Sequence, residues 1–419
     1  MAFNYDVNYV RDQFPALGLR VNGKQAAFLD GPGGSQVPER VGEKILDYLY
    51  YHNANEHGVF KSSMETMALV DDAREALADF LGCSPREVAF GASTTANNFM
   101  LSHALRRDLQ PGDEVIVTDI DHVSNRSPWI HLSEIGVVVK SVKVNPETCQ
   151  LDFEDYKAKL SSKTRLVALN YASNAVGTVT DVKKFIDLAH EVGAITTIDA
   201  VHYAAHHPID VKSIDTDILV CSAYKFFGPH IGVVYIREEL FEKLKTIKVD
   251  ADDILVPPIK FQTGTPNFEH ICGAGEAINF IADIGEKFGS CFDAETAQLS
   301  GRRRQVVKGM LAVDAYEETL AFRLRSELRK IPGVKVYGPA EGEKRTTTVS
   351  FTVAGKNSNE VALTLANEGI FTWDGDFYAI TLVNDVLGLG KQGGLVRIGF
   401  APYNLMEDVD RVLKVVMSL

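Results

Sequence analysis

The chain has 419 residues, 45% apolar and 24% charged, which suits a soluble globular protein of two or three domains with a large core. Its formal net charge of −13 argues against nucleic acid or an anionic membrane surface as a partner. The five cysteines (Cys83, Cys149, Cys221, Cys272, Cys291) are scattered with no CxxC pair, which disfavours a metal site or disulfide framework and suits a reducing compartment. No N-terminal signal pattern and no bilayer-length apolar run are visible, so the expectation is a cytoplasmic protein.

Residues 5–60 read as irregular with short helices. Within them Gly31-Pro32-Gly33-Gly34-Ser35 is a turn-rich loop, either a connector or backbone that passes close to a ligand. From about residue 65 helices and strands alternate. Met64 to Leu81 has helical periodicity, with Leu69, Val70, Ala73, Ala76, Leu77 and Phe80 on one face. Val88-Ala89-Phe90 reads as a strand. The hydroxyl-rich run Ser93-Thr94-Thr95 then opens a helix through Leu105, where it is either an ordinary N-cap or a phosphate site.

Further strands are predicted at Glu114–Thr118, Val137–Val142, Thr164–Leu169 and Ala194–Asp199. The first ends near His122, where open α/β sheets place their ligands; a lone loop histidine is also often structural. The third ends at Tyr171-Ala172-Ser173-Asn174 and the fourth at Asp199. The apolar run Asp217–Cys221 leads into Ser222-Ala223-Tyr224-Lys225-Phe226-Phe227-Gly228, and Val233–Ile236 leads out as another strand. A lysine at the mouth of a buried strand is either structural or an amine whose proton is easily lost, as Schiff-base chemistry requires. An aspartate and a lysine at the ends of neighbouring strands match the needs of pyridoxal phosphate. The lysine binds its aldehyde, and the carboxylate keeps its ring nitrogen charged.

Helices follow after residue 240 and over 270–290, with the loop Phe261–Asn267 between them and a long helix, whole or broken, from Ala294 to about Leu328. A smaller α+β unit closes the chain. It has strands at Arg345–Val353 and Leu395–Phe400, and helices at Ser358–Ala366 and Leu405–Val416.

These motifs resemble the class V aminotransferase family of pyridoxal-phosphate enzymes, in the branch of cysteine desulfurases and selenocysteine lyases. The resemblance rests on Ser222-Ala223-Tyr224-Lys225, Asp199-Ala200-Val201-His202, Ser173-Asn174-Ala175-Val176-Gly177-Thr178, Thr94-Thr95 and Gly264-Thr265-Pro266, and covers nearly the whole chain. It implies fold type I: a large, doubly wound, mostly parallel α/β domain over residues 31–295 and a smaller α+β domain over 296–419. Residues 1–30 would pack with the smaller domain.

By the same resemblance, Lys225 would hold the cofactor through a Schiff base, Asp199 would pair with the ring nitrogen and His122 would stack on the ring. Thr94, Thr95 and Ser222 would bind the phosphate, with Tyr224 a further donor. Asn174 would lie by the ring hydroxyl or the substrate carboxylate, and Arg397 would bind that carboxylate. Gly264 and Thr265 would reach the phosphate of a neighbouring subunit, which implies a homodimer with shared active sites.

Three departures stand out. His202 replaces a common glutamine and would donate to the phenolic oxygen, and Tyr224 replaces a histidine. The stretch Gly369–Ala379 lacks the cysteine on which desulfurases form a persulfide; it offers Trp373, Asp374, Asp376 and Tyr378, as packing and turn residues or, for Tyr378 and Asp376, as a substrate contact or acid. The leading expectation is a lyase that cleaves a C–S or C–Se bond of a small L-amino acid without an enzyme persulfide. The alternatives are an aminotransferase, an epimerase or another lyase using the same cofactor, or a non-catalytic cofactor-binding protein.

Overall fold

The computed structural model describes residues 3–249 and 256–419. Fifteen strands are assigned among them. Three short ones, β1 (Arg20–Val21), β2 (Lys24–Gln25) and β3 (Ala27–Phe28), precede the large sheet. That sheet contains β4 (Val88–Gly91), β5 (Glu114–Thr118), β6 (Val138–Val142), β7 (Thr164–Asn170), β8 (Ile195–Asp199), β9 (Ile218–Ser222) and β10 (Gly232–Ile236), in the order β4-β10-β9-β8-β7-β5-β6. The run β6-β5-β7-β8-β9 is parallel, and β10 is antiparallel to both of its neighbours.

Side chains alternate across this sheet, and both faces are covered. Phe90, Leu219, Cys221 and Val233 face a core shared with the helices Lys61–Leu81, Val182–Glu191 and Phe268–Phe288. Ala89, Ile218, Val220 and Val234 face a second core with Trp129 and the helix Thr94–Leu105. Two-sided burial explains why β9 and β10 are uninterrupted apolar runs.

The second sheet is antiparallel: β11 (Val334–Tyr337), β12 (Thr348–Val353), β15 (Leu395–Gly399) and β14 (Trp373–Gly375), in that order. The short β13 (Ile370–Phe371) pairs in parallel with β3. Val349, Phe351, Val396 and Ile398 form the core of this unit with the helix Met406–Val416.

The expected strand at 345–353 begins at Thr348. Arg345 instead bridges Thr178 and the Thr346 amide donates to the Gly177 carbonyl at 2.8 Å, so this segment pairs with a large-domain loop before joining the small sheet. The expected helix over 294–328 starts at Gly301 and runs 28 residues, preceded by turns. Its Val306, Met310 and Val313 belong to the large core and its Leu320, Leu324 and Leu328 to the small one, so the two bodies join inside this helix. The segment before residue 30 also contributes to both, through Phe14 and Leu17 on one side and Ala27 and Leu29 on the other. No helix among the described residues is long and apolar enough to cross a membrane.

Candidate active site

A cavity of about 980 Å³ opens at the carboxyl ends of the parallel strands and is closed on one side by β14, β15 and the loop after β14. Thr94, Thr95, His122, Asn174, Asp199, His202, Ser222, Tyr224, Lys225, Tyr378 and Arg397 all line it. Gly264 and Thr265 do not: both are exposed outside this chain's own cavity.

The helix Thr94–Leu105 presents its N-terminus to the cavity. The Ser93 hydroxyl caps it by accepting from the Ala96 amide at 3.1 Å, which leaves the amides of Thr94 and Thr95 free of intrahelical partners. Thr94 donates to the Cys221 carbonyl at 2.9 Å, so its oxygen accepts from the Ser222 hydroxyl at 2.7 Å. The helix start sits directly on β10, because a Cβ on Gly232 would lie 2.5 Å from the Ser93 carbonyl carbon. Ser93 thus caps the helix as one sequence reading expected, and the helix N-terminus faces the cavity.

Asp199 ends β8, buried, with one oxygen accepting from the Val201 amide at 2.9 Å. Burial pushes its carboxyl up to about 6, opposed by that amide and by Lys225. Lys225 follows β9 on a short turn, donates to the Pro32 carbonyl and sits over the Tyr224 ring at 4.9 Å. Burial and then Arg397 push its amine down to about 7, against the pull of Asp199 and Asp30. Tyr224 stacks on His230, ring centroids 4.7 Å apart.

His122 accepts from the Ser124 amide at Nδ1, which leaves the hydrogen of the neutral ring on Nε2. Burial, Lys225 and Arg397 hold its imidazole down near 4, so it is neutral. Its ring lies 5.5 Å from that of Tyr378. His202 is also buried and neutral; its Nε2 meets Thr346 and Thr348, and its Nδ1 is buried without a partner.

Arg397, on β15, is buried, with Nη1 donating to the Asn174 carbonyl at 3.0 Å and Nε left without a partner. Asn174 donates its own amide to the Phe377 carbonyl at 2.9 Å. Burial lowers the Arg397 guanidinium to about 9, against the pull of Asp30.

The loop after β14 turns into the cavity through left-handed backbone at Phe377 (φ 56°) and Tyr378 (φ 59°), fixed where the Val123 amide donates to the Tyr378 carbonyl at 2.9 Å. No cysteine lines the cavity. Asp376 accepts from the Tyr378 amide and from Asn384 at 3.1 Å, so much of its hydrogen-bonding capacity is spent on the loop itself.

Sequence reasoning missed several contributors. Asp30, whose carboxyl is raised to about 6 by burial with Oδ1 unpartnered, acts electrostatically on both Lys225 and Arg397. Phe99 and Ser127 line the cavity, and Thr346 and Thr348 hold His202. Asp30, next to the glycine-rich loop, was the one with a visible signal: a carboxylate at the end of an apolar run.

The aminotransferase class-V family model matches residues 27–300 and 306–412. The chain is 33% identical to the aminotransferase-like protein FGM3 of Gibberella zeae, covering 98% of this chain and 97% of that protein. It is 31% identical to a probable cysteine desulfurase of Synechocystis sp., covering 97% and 93%. Among solved structures, an apo cysteine desulfurase from Thermococcus onnurineus superposes with a TM-score of 0.85 at 27% identity, covering 100% of this chain and 98% of that one.

Proposed function

The chain belongs to the class-V aminotransferase family, whose enzymes use pyridoxal 5′-phosphate, and from that premise we propose that it is a cysteine-desulfurase-like lyase acting on the C–S or C–Se bond of a small L-amino acid without an enzyme persulfide. The observation that carries this reading is the convergence of Lys225, Asp199 and Arg397 on one cavity with no thiol in its lining.

The donor set fits the cofactor: an open helix N-terminus for a phosphate, a buried carboxylate for a ring nitrogen, and an unpartnered His202 Nδ1 for an oxygen. When bound, that group supplies an electrophilic carbon for an amine and a ring that draws electrons from a substrate's α-carbon. The amides of Thr94 and Thr95 and the Thr95 hydroxyl would hold the phosphate, joined by the Ser222 hydroxyl once its hydrogen turns from Thr94 to the anion. Asp199 would face the ring nitrogen, where a positive partner pulls its carboxyl back below 6 and keeps it ionised. The neutral His122 would lie against the ring.

Arg397 would take the substrate carboxylate with its free guanidinium edge, as a fork suits two oxygens. The Lys225 amine, already lowered to about 7 while bonded to the Pro32 carbonyl, would take the α-proton. Tyr378, beside His122, would contact the substrate side chain. Sulfur would leave to an external thiol. The acceptor's thiolate attacks the substrate sulfur, an S–S bond forms, and the electron pair of the broken C–S bond stays on the β-carbon. Protonation there, with return of the α-proton from Lys225, gives alanine, and the acceptor leaves as its persulfide.

A homodimer with shared sites completes this reading. The run Tyr50, Tyr51, Val59, Phe60 and Met64 is exposed and apolar, and Gly264 and Thr265 stand free of this chain's own cavity. The five cysteines are all free, which supports a reducing, cytoplasmic setting.

The test is product analysis after the cofactor-loaded protein meets L-cysteine and a thiol. Alanine and sulfide in equal amounts over many turnovers support the proposal; pyruvate, ammonia and sulfide would mean β-elimination, and no product with the cofactor held intact would move the reaction elsewhere in the family.

A further inference from the structure

We propose that Thr346 and Thr348 are positioning residues for the cofactor, their hydroxyls holding His202 in the tautomer that carries its hydrogen on Nδ1, the ring position with no protein partner.

The argument is one of counting hydrogens. Nε2 of His202 lies 2.9 Å from the Thr346 hydroxyl and 2.8 Å from that of Thr348. Both threonines are fully buried, and among the described residues neither hydroxyl makes another hydrogen bond. Each hydroxyl has one hydrogen to place. If Nε2 carried the ring hydrogen, both hydroxyl hydrogens would lack an acceptor and Nδ1 would be a buried bare lone pair. With Nε2 bare, a threonine donates to it and the ring hydrogen sits on Nδ1. That leaves the other threonine's hydrogen and one buried ring N–H without a partner, one orphan group fewer than the alternative, and the N–H, on a residue that lines the cavity, is a site for an anionic oxygen. Burial keeps the imidazole neutral, so the tautomer alone decides whether this edge donates or accepts.

The neighbouring histidine does not compete. The His206 ring centroid is 5.1 Å away, its Nδ1 is held by Glu317 at 2.7 Å, and no hydrogen bond joins the two rings. The strand that carries Thr348 adds a second point. On β12, Thr348 pairs with Gly399 and Ser350 pairs with Arg397. One small-domain sheet therefore holds both Arg397 and one of the two hydroxyls that orient His202, that of Thr348. The proposal rests on the cofactor and on the placement of His202, not on which substrate bond is broken, so it stands or falls apart from the desulfuration reading.

The test is long-range ¹H–¹⁵N correlation of the histidine rings in ¹⁵N-labelled holoenzyme, with the His202 signals assigned by His202→Gln. Hydrogen on Nδ1 in the wild-type protein is expected. The isosteric pair Thr346→Val and Thr348→Val should shift the ring toward the other tautomer, move the visible band of the bound cofactor and weaken its retention about tenfold. The pair Thr346→Ser and Thr348→Ser should restore all three. Hydrogen on Nε2 in the wild-type holoenzyme would overturn the proposal whatever the variants do. So would valine variants that keep both the Nδ1–H signal and the cofactor affinity. If the valine pair does not fold, the wild-type and serine spectra decide.

Discussion

The guanidinium of Arg397 lies over the ring of Phe377, its central carbon 4.0 Å from the ring centroid. Phe377 accepts at its carbonyl from Asn174, and Arg397 donates to the Asn174 carbonyl, so Arg397 on β15, the loop after β7 and the loop after β14 lock one another. The planar fork is thereby set before any substrate arrives. Arg397→Lys keeps the charge but loses the fork and the flat contact. It should weaken carboxylate substrates about tenfold or more, seen as a raised KM and in spectral titration of amino acids against the loaded protein. Unchanged binding would remove Arg397 from this role.

Lys225 has its amine near 7 because burial and Arg397 both disfavour its charged form. Only the neutral amine can attack an aldehyde. The rate at which cofactor-free protein captures pyridoxal phosphate should therefore rise with pH through a midpoint near 7 and level off above it. A midpoint near 10 would show an ordinary, solvated lysine. Lys225→Ala should show no visible band from covalently held cofactor at any pH.

Asp199 gives a prediction with opposite signs in two states. Without cofactor its carboxyl sits at about 6, above the 3.8 of an unperturbed aspartate, so the folded protein binds the extra proton between those values. The stability this group contributes is present at low pH and lost as pH rises through about 6. Asp199→Asn should then raise the Tm of the cofactor-free protein at pH 7.5 by a few degrees, and less at pH 5. With cofactor bound, the same change should lower both cofactor retention and turnover. Calorimetry of the two forms at the two pH values checks both signs.

Much of this frame was legible in the sequence, because a strand buried on both faces must be a continuous apolar run. β5 is found over Glu114–Thr118 as read, β8 ends at Asp199 as expected, and β9 runs one residue past the expected Cys221, to Ser222. Residues just past those ends, among them His122 and Lys225, follow from the geometry of open parallel sheets. The small-domain wall was not legible in this way. β14 has three residues, too few for a period, and Thr348 looks like any strand threonine. Its contact with His202 joins positions 146 residues apart, and nothing local in either segment announces it. Asp30 carried a local signal, a carboxylate at the end of an apolar run, but its influence on Arg397 spans almost the whole chain and no local pattern announces it.

The exposed apolar run at 50–64 predicts the oligomeric state. Tyr51 is 73% and Val59 97% exposed, more than a free monomer surface gains from such residues. The pair Tyr51→Asp and Phe60→Asp should turn a dimer into a monomer by sedimentation and lower cofactor retention with it. A wild-type protein that sediments as an active monomer would remove the shared site.

Trp373 and Gly33 provide the most direct probe of the cysteine-free loop Gly369–Ala379. The indole lies so close to the Gly33 backbone that a Cβ there would stand 2.1 Å from its Nε1. Gly33 has no left-handed backbone to protect, so Gly33→Ala perturbs through its methyl group alone. The next residue back, Pro32, accepts the hydrogen bond of Lys225, so the indole and the amine rest on adjacent peptide units. The methyl group must push the indole toward solvent. The chain has two tryptophans, and Trp129 is fully buried while Trp373 is 50% exposed. Gly33→Ala should therefore shift tryptophan emission to the red, and the shift should vanish in a Trp373→Phe background. If this contact sets the wall of the substrate site, kcat/KM should fall on the order of tenfold, while the visible band of the bound cofactor stays in place. An unchanged emission spectrum would mean that the indole rests elsewhere. A red shift with full activity would assign Trp373 to packing and leave Tyr378 as the loop's contact with substrate.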